Sequence, residues 1–263
     1  GVAMGLKQAA SSVGIAALTV ATGFLARSAW YNAYYVYVLI VPAVILTAVM
    51  LPKGNKDVRL VGSKVGIKKV LTRGSIYFTV LAFFMSGFNF AFTTNIGMSI
   101  VNRGLGDSAS VGIASAWNSL LTIFVGIFFG YILKAFKKYT LAAAVIIQAI
   151  AYFFLAKAGT LSLISIAGMI YGFGSGLQMI THSYFVVESV EQDATSMAIS
   201  MSMAGTMIGI FASPVTVNAI ASLLGPLDGT TGLVAAGIGM AIIFVIEVIF
   251  EKFFNKQFMA SKS

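Results

Sequence analysis

Cysteine is absent from the 263 residues, and the chain has one histidine, four prolines and few acidic side chains. Without cysteine the protein can form no disulfide, thiolate nucleophile or cysteine-ligated metal site. One histidine is too few for a transition-metal cluster. We therefore expect no metal, no cofactor and no catalytic residues. An enzyme working inside the bilayer would need a nucleophile–base pair, and this composition argues against one.

Charged residues make up 10% of the chain, against 59% hydrophobic residues and a mean hydropathy of +0.94. A soluble domain has about 25% charged residues, so a soluble enzyme and a disordered chain are both excluded. The net charge of +9 would suit nucleic acid, but the basic residues lie in short segments between apolar runs. Membrane topology explains that placement, and we expect a lipid bilayer, not nucleic acid, as the partner.

Eight apolar runs are each long enough to cross the hydrocarbon core of a membrane, which takes about 20 residues as a helix. None of them alternates as transmembrane β-strands do. The sequence therefore predicts an all-α membrane protein with eight transmembrane helices. The predicted spans are 3–25, 31–51, 75–100, 109–133, 139–157, 160–186, 195–223 and 230–250.

The lysines and arginines are distributed unequally between the two sides that these spans define. If the 52–73 segment is cytoplasmic, fourteen of them lie on that side, and only Arg27, Arg103 and Lys157 lie outside. Because basic residues accumulate in cytoplasmic loops, we expect both ends of this chain in the cytoplasm and the protein in the cytoplasmic membrane.

The 52–73 segment is the longest polar stretch and the only internal boundary that the composition indicates. Within it Ile67, Val70 and Leu71 have helical spacing among lysines, which fits a short helix lying on an anionic leaflet. A solvated linker whose lysines only set topology is the alternative.

The chain starts close to its first apolar run without an initiator Met, so we expect the C-terminal portion of a longer membrane protein.

Three local patterns resemble those of a known family of transporters. A glycine-bearing helix followed by small residues and tryptophan covers 14–30, the turn GYILKAFKK covers 130–138, and GTMIGIFASP covers 205–214. Together with two helices, a basic loop and six further helices, they resemble the major facilitator superfamily. The family's cytoplasmic turn has Asp where Lys134 stands and Gly where Phe136 stands.

The resemblance implies a major-facilitator-like bundle lacking its first four helices. Residues 1–51 would be the last two helices of an N-terminal half, 52–73 a cytoplasmic basic linker, 74–254 a six-helix C-terminal half and 255–263 a cytoplasmic tail. It implies a monomeric secondary transporter that moves a small molecule by alternating access. A non-transporting scaffold, a channel-like protein and a drug efflux antiporter are the alternatives. Of the antiporters' Gly-Pro…Gly-Gly motif, this sequence keeps only the last glycine, Gly23.

Small residues recur every four positions in three of the predicted helices. Such stripes let membrane helices approach closely, and they serve static packing or sliding between conformations. The expected packing glycines are Gly126, Gly130, Gly168, Gly172, Gly176, Gly205 and Gly209.

Uncharged polar residues at membrane depth are candidates for substrate binding, because they are costly there. Under the resemblance their helices face the family's central cavity, where they would bind a small neutral or amphipathic solute. Hydrogen bonding between helices is the alternative role. The candidates are Asn89, Asn118, Ser175 and Gln178, while Trp117 and the methionines of 197–207 are interpreted as packing residues.

Two titratable residues are candidates for coupling transport to a proton or another ion. His182 titrates near neutral pH when unperturbed, and a structural hydrogen bond is its alternative role. Glu247 is the only acid well inside an apolar run, and a buried carboxylate is a usual coupling device. Its alternative role is an end-of-helix carboxylate that reaches water or pairs with Lys252.

Overall fold

The computed structural model describes residues 2–50 and 66–253. Residues 52–65 of the predicted linker and the whole predicted tail (255–263) lie outside the described residues. All eight predicted apolar runs are helical within that description. The helices are α1 (Val2–Ser28), α2 (Ile40–Met50), α3 (Ile67–Val70), α4 (Arg73–Asn102), α5 (Ser108–Phe136), α6 (Thr140–Lys157), α7 (Leu161–Glu188), α8 (Thr195–Leu224) and α9 (Thr230–Phe253).

Seven described stretches are long and apolar enough to cross a membrane. One of them, Ser108–Lys157, is 50 residues long and would extend about 75 Å as a single helix, far beyond the core of about 30 Å. The chain turns at Lys137, where φ is 49°, and this turn separates α5 from α6. The predicted count of eight spanning helices, in an all-α bundle, is therefore confirmed.

The second span differs from the prediction in its backbone. Its first part, Trp30–Leu39, is a 3₁₀ helix, and only Ile40–Met50 is α-helical. Side chains three residues apart eclipse one another in a 3₁₀ helix, and here Tyr34 stacks on Tyr37 with ring centroids 6.1 Å apart. The span has no buried residue.

Helix α4 is at the centre of the packing. It runs parallel to α8, because Thr79 contacts Gly205 and Phe83, one turn later in α4, contacts Gly209, one turn later in α8. It runs antiparallel to α9, which contacts it through Tyr77 and Glu247 near one end and through Ser99 and Thr230 near the other. The core around α4 includes the fully buried side chains of Phe78, Met85, Tyr152 and Met240, of which Tyr152 lies on α6.

Helices α1 and α5 are antiparallel and approach through paired glycines. A Cβ on Gly23 would lie 2.9 Å from the Cα of Gly112. At the end of this contact Arg27 Nε lies 2.9 Å from Asp107 Oδ2. Asp107 also begins α5, because its Oδ1 accepts from the backbone and the hydroxyl of Ser110. These hydrogen bonds and Arg27 lower the pKa of Asp107.

The end of the predicted linker is tied to the turn between α7 and α8. Lys69 Nζ donates to Glu191 Oε2 at 2.8 Å and to Asp193 Oδ2 at 3.0 Å, and both contacts raise the pKa of Lys69. Val70 is buried, whereas Ile67 and Leu71 are exposed. The short helix that the spacing predicts is therefore present, and it packs one apolar residue into the protein.

Candidate functional site

A cavity of about 420 Å³ lies among α1, α4, α5, α7 and α8. None of the residues that line it is acidic, lysine or arginine, and no group of three or more metal-ligating side chains occurs in the described ranges. The polar lining residues are Gln8, Ser12, Ser86, Asn89, Thr93, Asn118, Ser119, Thr122, Ser175, Gln178, His182, Ser183, Ser202 and Thr206. The four predicted substrate contacts are all among them.

Asn89 is the branching point of a hydrogen-bond network joining α4, α6 and α7. Its Nδ2 donates to Gln148 Oε1 at 2.9 Å and to Gln178 Oε1 at 3.2 Å. Its Oδ1 accepts from the hydroxyl of Tyr171. The amide of Asn89 is thus fully used between helices, which is the alternative role that the sequence left open for it.

Gln148 was missed by the sequence reasoning although it is a lone amide inside an apolar helix. It is fully buried, and its Nε2 donates to Gln178 Oε1 at 2.5 Å. The same cost of burying a polar group that singled out Asn89 and Gln178 would have found it. Its partners depend on the packing of α6 against α4 and α7, which the sequence pattern does not specify.

Two tyrosines hold the network from behind the cavity. Tyr171 on α7 is buried and stacks on Phe92 with ring centroids 4.3 Å apart. Tyr152 is also buried, and its hydroxyl donates to the backbone oxygens of Phe88 and Asn89 at 2.7 and 3.0 Å. These contacts fix the backbone of α4 at the depth of Asn89.

Asn118 and Ser175 lie on neighbouring walls of the cavity, on α5 and α7. The Oδ1 of Asn118 is buried with no hydrogen-bond partner in the described part of the chain. Ser175 Oγ donates to Gly172 O at 3.3 Å, within its own helix. Thr122 links the two helices by donating to the same oxygen at 2.8 Å.

His182 lines the cavity on α7 and is buried. Its Nε2 lies 2.8 Å from Ser202 Oγ on α8, which is the structural hydrogen bond that the sequence offered as its alternative role. Its Nδ1 is buried and has no partner among the described residues.

Glu247 lies outside the cavity, between α9 and α4. It is fully buried and accepts from the hydroxyl of Tyr77 through Oε1, while its Oε2 is unpartnered within the described ranges. The alternative of a carboxylate that reaches water is therefore wrong. Tyr77 stacks on Phe250 with centroids 3.8 Å apart, and this pair helps to close the site to solvent.

The predicted glycine stripes lie at helix contacts at most positions. Gly168, Gly172 and Gly176 face Ala114, Asn118 and Thr122 of α5, and Gly205 and Gly209 face Thr79 and Phe83 of α4. Gly126 is buried. Gly130 departs from the expectation, because it is exposed and a Cβ there would meet nothing within 4 Å in the described structure.

The sequence analysis interpreted the methionines of α8 as packing residues, but two of them have a different position. Met203 and Met207 line the cavity and are 54% and 60% exposed. A thioether is polarisable and adapts to different apolar shapes, so this wall offers an adaptable apolar surface opposite the amides. Trp117 instead lies beside Val20 in a separate shallow pocket.

Comparison with known proteins agrees with the architecture. The family model described as Major Facilitator Superfamily matches residues 78–257, more than half of the chain. A search of curated proteins finds no match. Members of this family are transporters and not enzymes, and they bind small-molecule substrates and lipids within the membrane. The chain therefore belongs to the Major Facilitator Superfamily of multi-pass membrane transporters.

Proposed function

We propose that the chain takes part in moving a small, uncharged solute across the cytoplasmic membrane by alternating access, and that the cavity is the solute site. The observation that carries the proposal is the cavity's lining of amides, hydroxyls and thioethers, in which the described residues include no carboxylate, lysine or arginine. A buried ion without a counter-charge is strongly disfavoured, whereas a neutral solute finds hydrogen bonds and apolar contact. Asn118, Ser175 and Gln178 contact the solute, and Asn89 contributes through its network.

The proposed topology follows from the basic residues and the family. Residues 1–51 correspond to the last two helices of the family's first half, 52–73 to the cytoplasmic linker, 74–254 to the C-terminal half and 255–263 to a cytoplasmic tail. With both ends cytoplasmic, the starts of α1, α4 and α8 and the end of α7 face the cytoplasm. Cavity residues such as Ser12, Ser202 and Val186 lie on that half, which supports an inward-facing cavity in a monomer.

His182 and Glu247 are the proposed coupling residues for a proton or another ion. His182 has one ring nitrogen free of protein partners inside the described cavity wall. Glu247 has one free carboxylate oxygen in the described structure. Proton movement that accompanies solute movement, and that His182→Gln or Glu247→Gln abolishes while solute movement persists, would support these roles.

Saturable movement of neutral solutes in proteoliposomes tests the proposed function. Radiolabelled sugars, polyols and nucleosides would be compared with organic acids and lipophilic cations. Met203→Trp, which narrows the cavity, is expected to lower the rate of transport strongly. Met197→Trp is the matched control, because Met197 is exposed on the same helix and does not line the cavity. Unsaturable flux would favour a channel, transport of cations only would favour a drug antiporter, and no movement of any solute would favour a scaffold.

The absence of native cysteine allows a second, independent measurement. A single cysteine at Ser175 is expected to react with a membrane-impermeant thiol reagent and to be protected by a transported solute. A single cysteine at Ser200, exposed on α8 outside the cavity, is the control and should show no solute protection. Equal protection at both positions, or none at Ser175, would contradict a solute site in the cavity.

A further inference from the structure

The two ends of the Gln178 amide have different surroundings. Its Oε1 accepts two hydrogen bonds, from Gln148 Nε2 at 2.5 Å and from Asn89 Nδ2 at 3.2 Å. Its Nε2 has no acceptor among the described residues, and the side chain lines the cavity. The oxygen is thus directed towards α4 and α6, which leaves the NH₂ group to the cavity.

This orientation depends on groups whose hydrogen-bonding role cannot be reversed. A backbone carbonyl only accepts, so the contact of 3.4 Å between Gln148 and Ala144 O places Nε2 at that arm of Gln148. The same nitrogen is the one that reaches Gln178. Reversing Gln148 would place its oxygen against Ala144 O, with no proton between them.

We propose that Gln148 is a positioning residue that fixes the Gln178 amide with its NH₂ group towards the cavity, so that the site selects neutral solutes carrying a hydrogen-bond acceptor. The inference rests on the proposed function in one respect, that the cavity is the solute site. Gln148 itself is fully buried and touches no solute. Its effect on selectivity passes entirely through the direction of the Gln178 dipole.

The polarity of this one group predicts a preference between solutes of similar size. Quinoline carries a ring nitrogen that accepts and has no donor, whereas indole carries an N–H that donates and has no comparable acceptor. Both are neutral and apolar otherwise, so they make similar contact with Met203 and Met207. Quinoline can accept a hydrogen bond from the Gln178 NH₂ group, whereas indole would place its own donor against that NH₂ group. This difference changes the affinity by about threefold to tenfold.

The orientation is tested first without any solute. The 263-residue chain, labelled with ¹⁵N-glutamine and placed in nanodiscs, gives side-chain NH₂ resonances that Gln148→Met and Gln178→Met assign by their disappearance. We expect the Gln178 NH₂ protons to exchange rapidly with water from the cavity and the Gln148 NH₂ protons to be protected. Equal protection of both, or protection of Gln178 alone, overturns the proposal.

Selectivity is tested by titrating the same nanodiscs with quinoline and indole and following the Gln178 resonance. We expect quinoline to bind about three to ten times more tightly than indole. The ratio, read from the Gln178 resonance that both variants retain, should fall towards one in Gln148→Met. It should stay unchanged in Gln192→Met, whose glutamine is exposed outside the cavity. Equal binding of the two probes, binding of neither, or an unchanged ratio in Gln148→Met overturns the selectivity role.

Failure here is distinguishable from failure of the proposed function. A chain that shows the predicted exchange and selectivity but moves no solute has the oriented site and lacks transport. A chain that transports neutral solutes but shows a protected Gln178 NH₂ retains the proposed function and contradicts the role of Gln148.

Discussion

Gly172 of α7 packs directly on Asn118 of α5. A Cβ added to Gly172 would collide with both the main-chain and the side-chain oxygen of Asn118. The main-chain oxygen moves only if α5 itself moves, so this contact sets the distance between the two helices. Lipid provides no hydrophobic force that pushes helices together, so such close contacts are a main source of stability in a membrane bundle.

Gly172→Ala is expected to lower the free energy of unfolding by about 1–3 kcal/mol, the usual cost of overpacking. Gly130→Ala, in α5, is the control, because a Cβ there meets nothing within 4 Å among the described residues. Denaturation of both variants in mixed micelles measures the difference. Equal loss of stability in the two would show that α5 and α7 do not depend on this close approach.

Tyr77→Phe is expected to destabilise the protein by about 1–3 kcal/mol, because it leaves the buried Glu247 carboxyl without its hydroxyl donor. Tyr184→Phe is the control, since the Tyr184 hydroxyl has no hydrogen bond in the described structure and the residue is half-buried. In a Glu247→Leu background the effect of Tyr77→Phe should largely disappear, as a double-mutant cycle would measure. An effect of unchanged size in that background would refute the pairing.

Asp107 is expected to make stability depend on pH in the acid range. Its folded pKa is lowered, first by hydrogen bonds from Ser110 and then by Arg27. Its contribution is therefore present above the unfolded pKa of about 3.9 and is lost as the pH falls through the lower folded value. Asp107→Asn retains an oxygen that caps α5, so it should be less harmful near neutral pH than Asp107→Ala.

Melting temperatures of the wild type, Asp107→Asn and Asp107→Ala measured from about pH 7 to about pH 3 check this expectation. The gap between the wild type and Asp107→Asn should narrow at the acid end. A gap that does not change with pH would mean that the ionised carboxylate contributes nothing.

Lys69→Gln is expected to loosen the attachment of α3 to the turn between α7 and α8, because it removes both ion pairs. The folded pKa of Lys69 is raised, so the contribution is complete below the unfolded pKa of about 10.4 and is lost as the pH rises through the folded value. Lys68→Gln, one residue away and exposed, is the control.

Salt dependence separates the ion pairs of Lys69 from simple packing. The exposed pairs should weaken when the salt concentration reaches about 1 M, where the Debye length is about 3 Å. The difference in melting temperature between wild type and Lys69→Gln should shrink accordingly. The same difference at low and high salt would contradict an electrostatic role.

The sequence alone determined that this is an all-α membrane protein, where its spanning helices lie and which family they resemble. Hydrophobic length and the placement of lysine and arginine are local properties that the bilayer imposes directly on the chain. For the same reason Asn89, Asn118, Ser175 and Gln178 were recognisable, since any amide or hydroxyl at that depth is costly. All four line the described cavity.

Only the tertiary structure decided what these side chains contact. It placed Gln148 between Asn89 and Gln178, buried Glu247 against Tyr77, turned Met203 towards the cavity and left Gly130 without a neighbour in the described structure. A hydrophobic run specifies that a helix crosses the membrane, but in lipid an apolar side chain is nearly as well solvated on any face. Which face meets which neighbour follows from close packing between helices distant in sequence, and that is where the hydrogen bonds of the site are set.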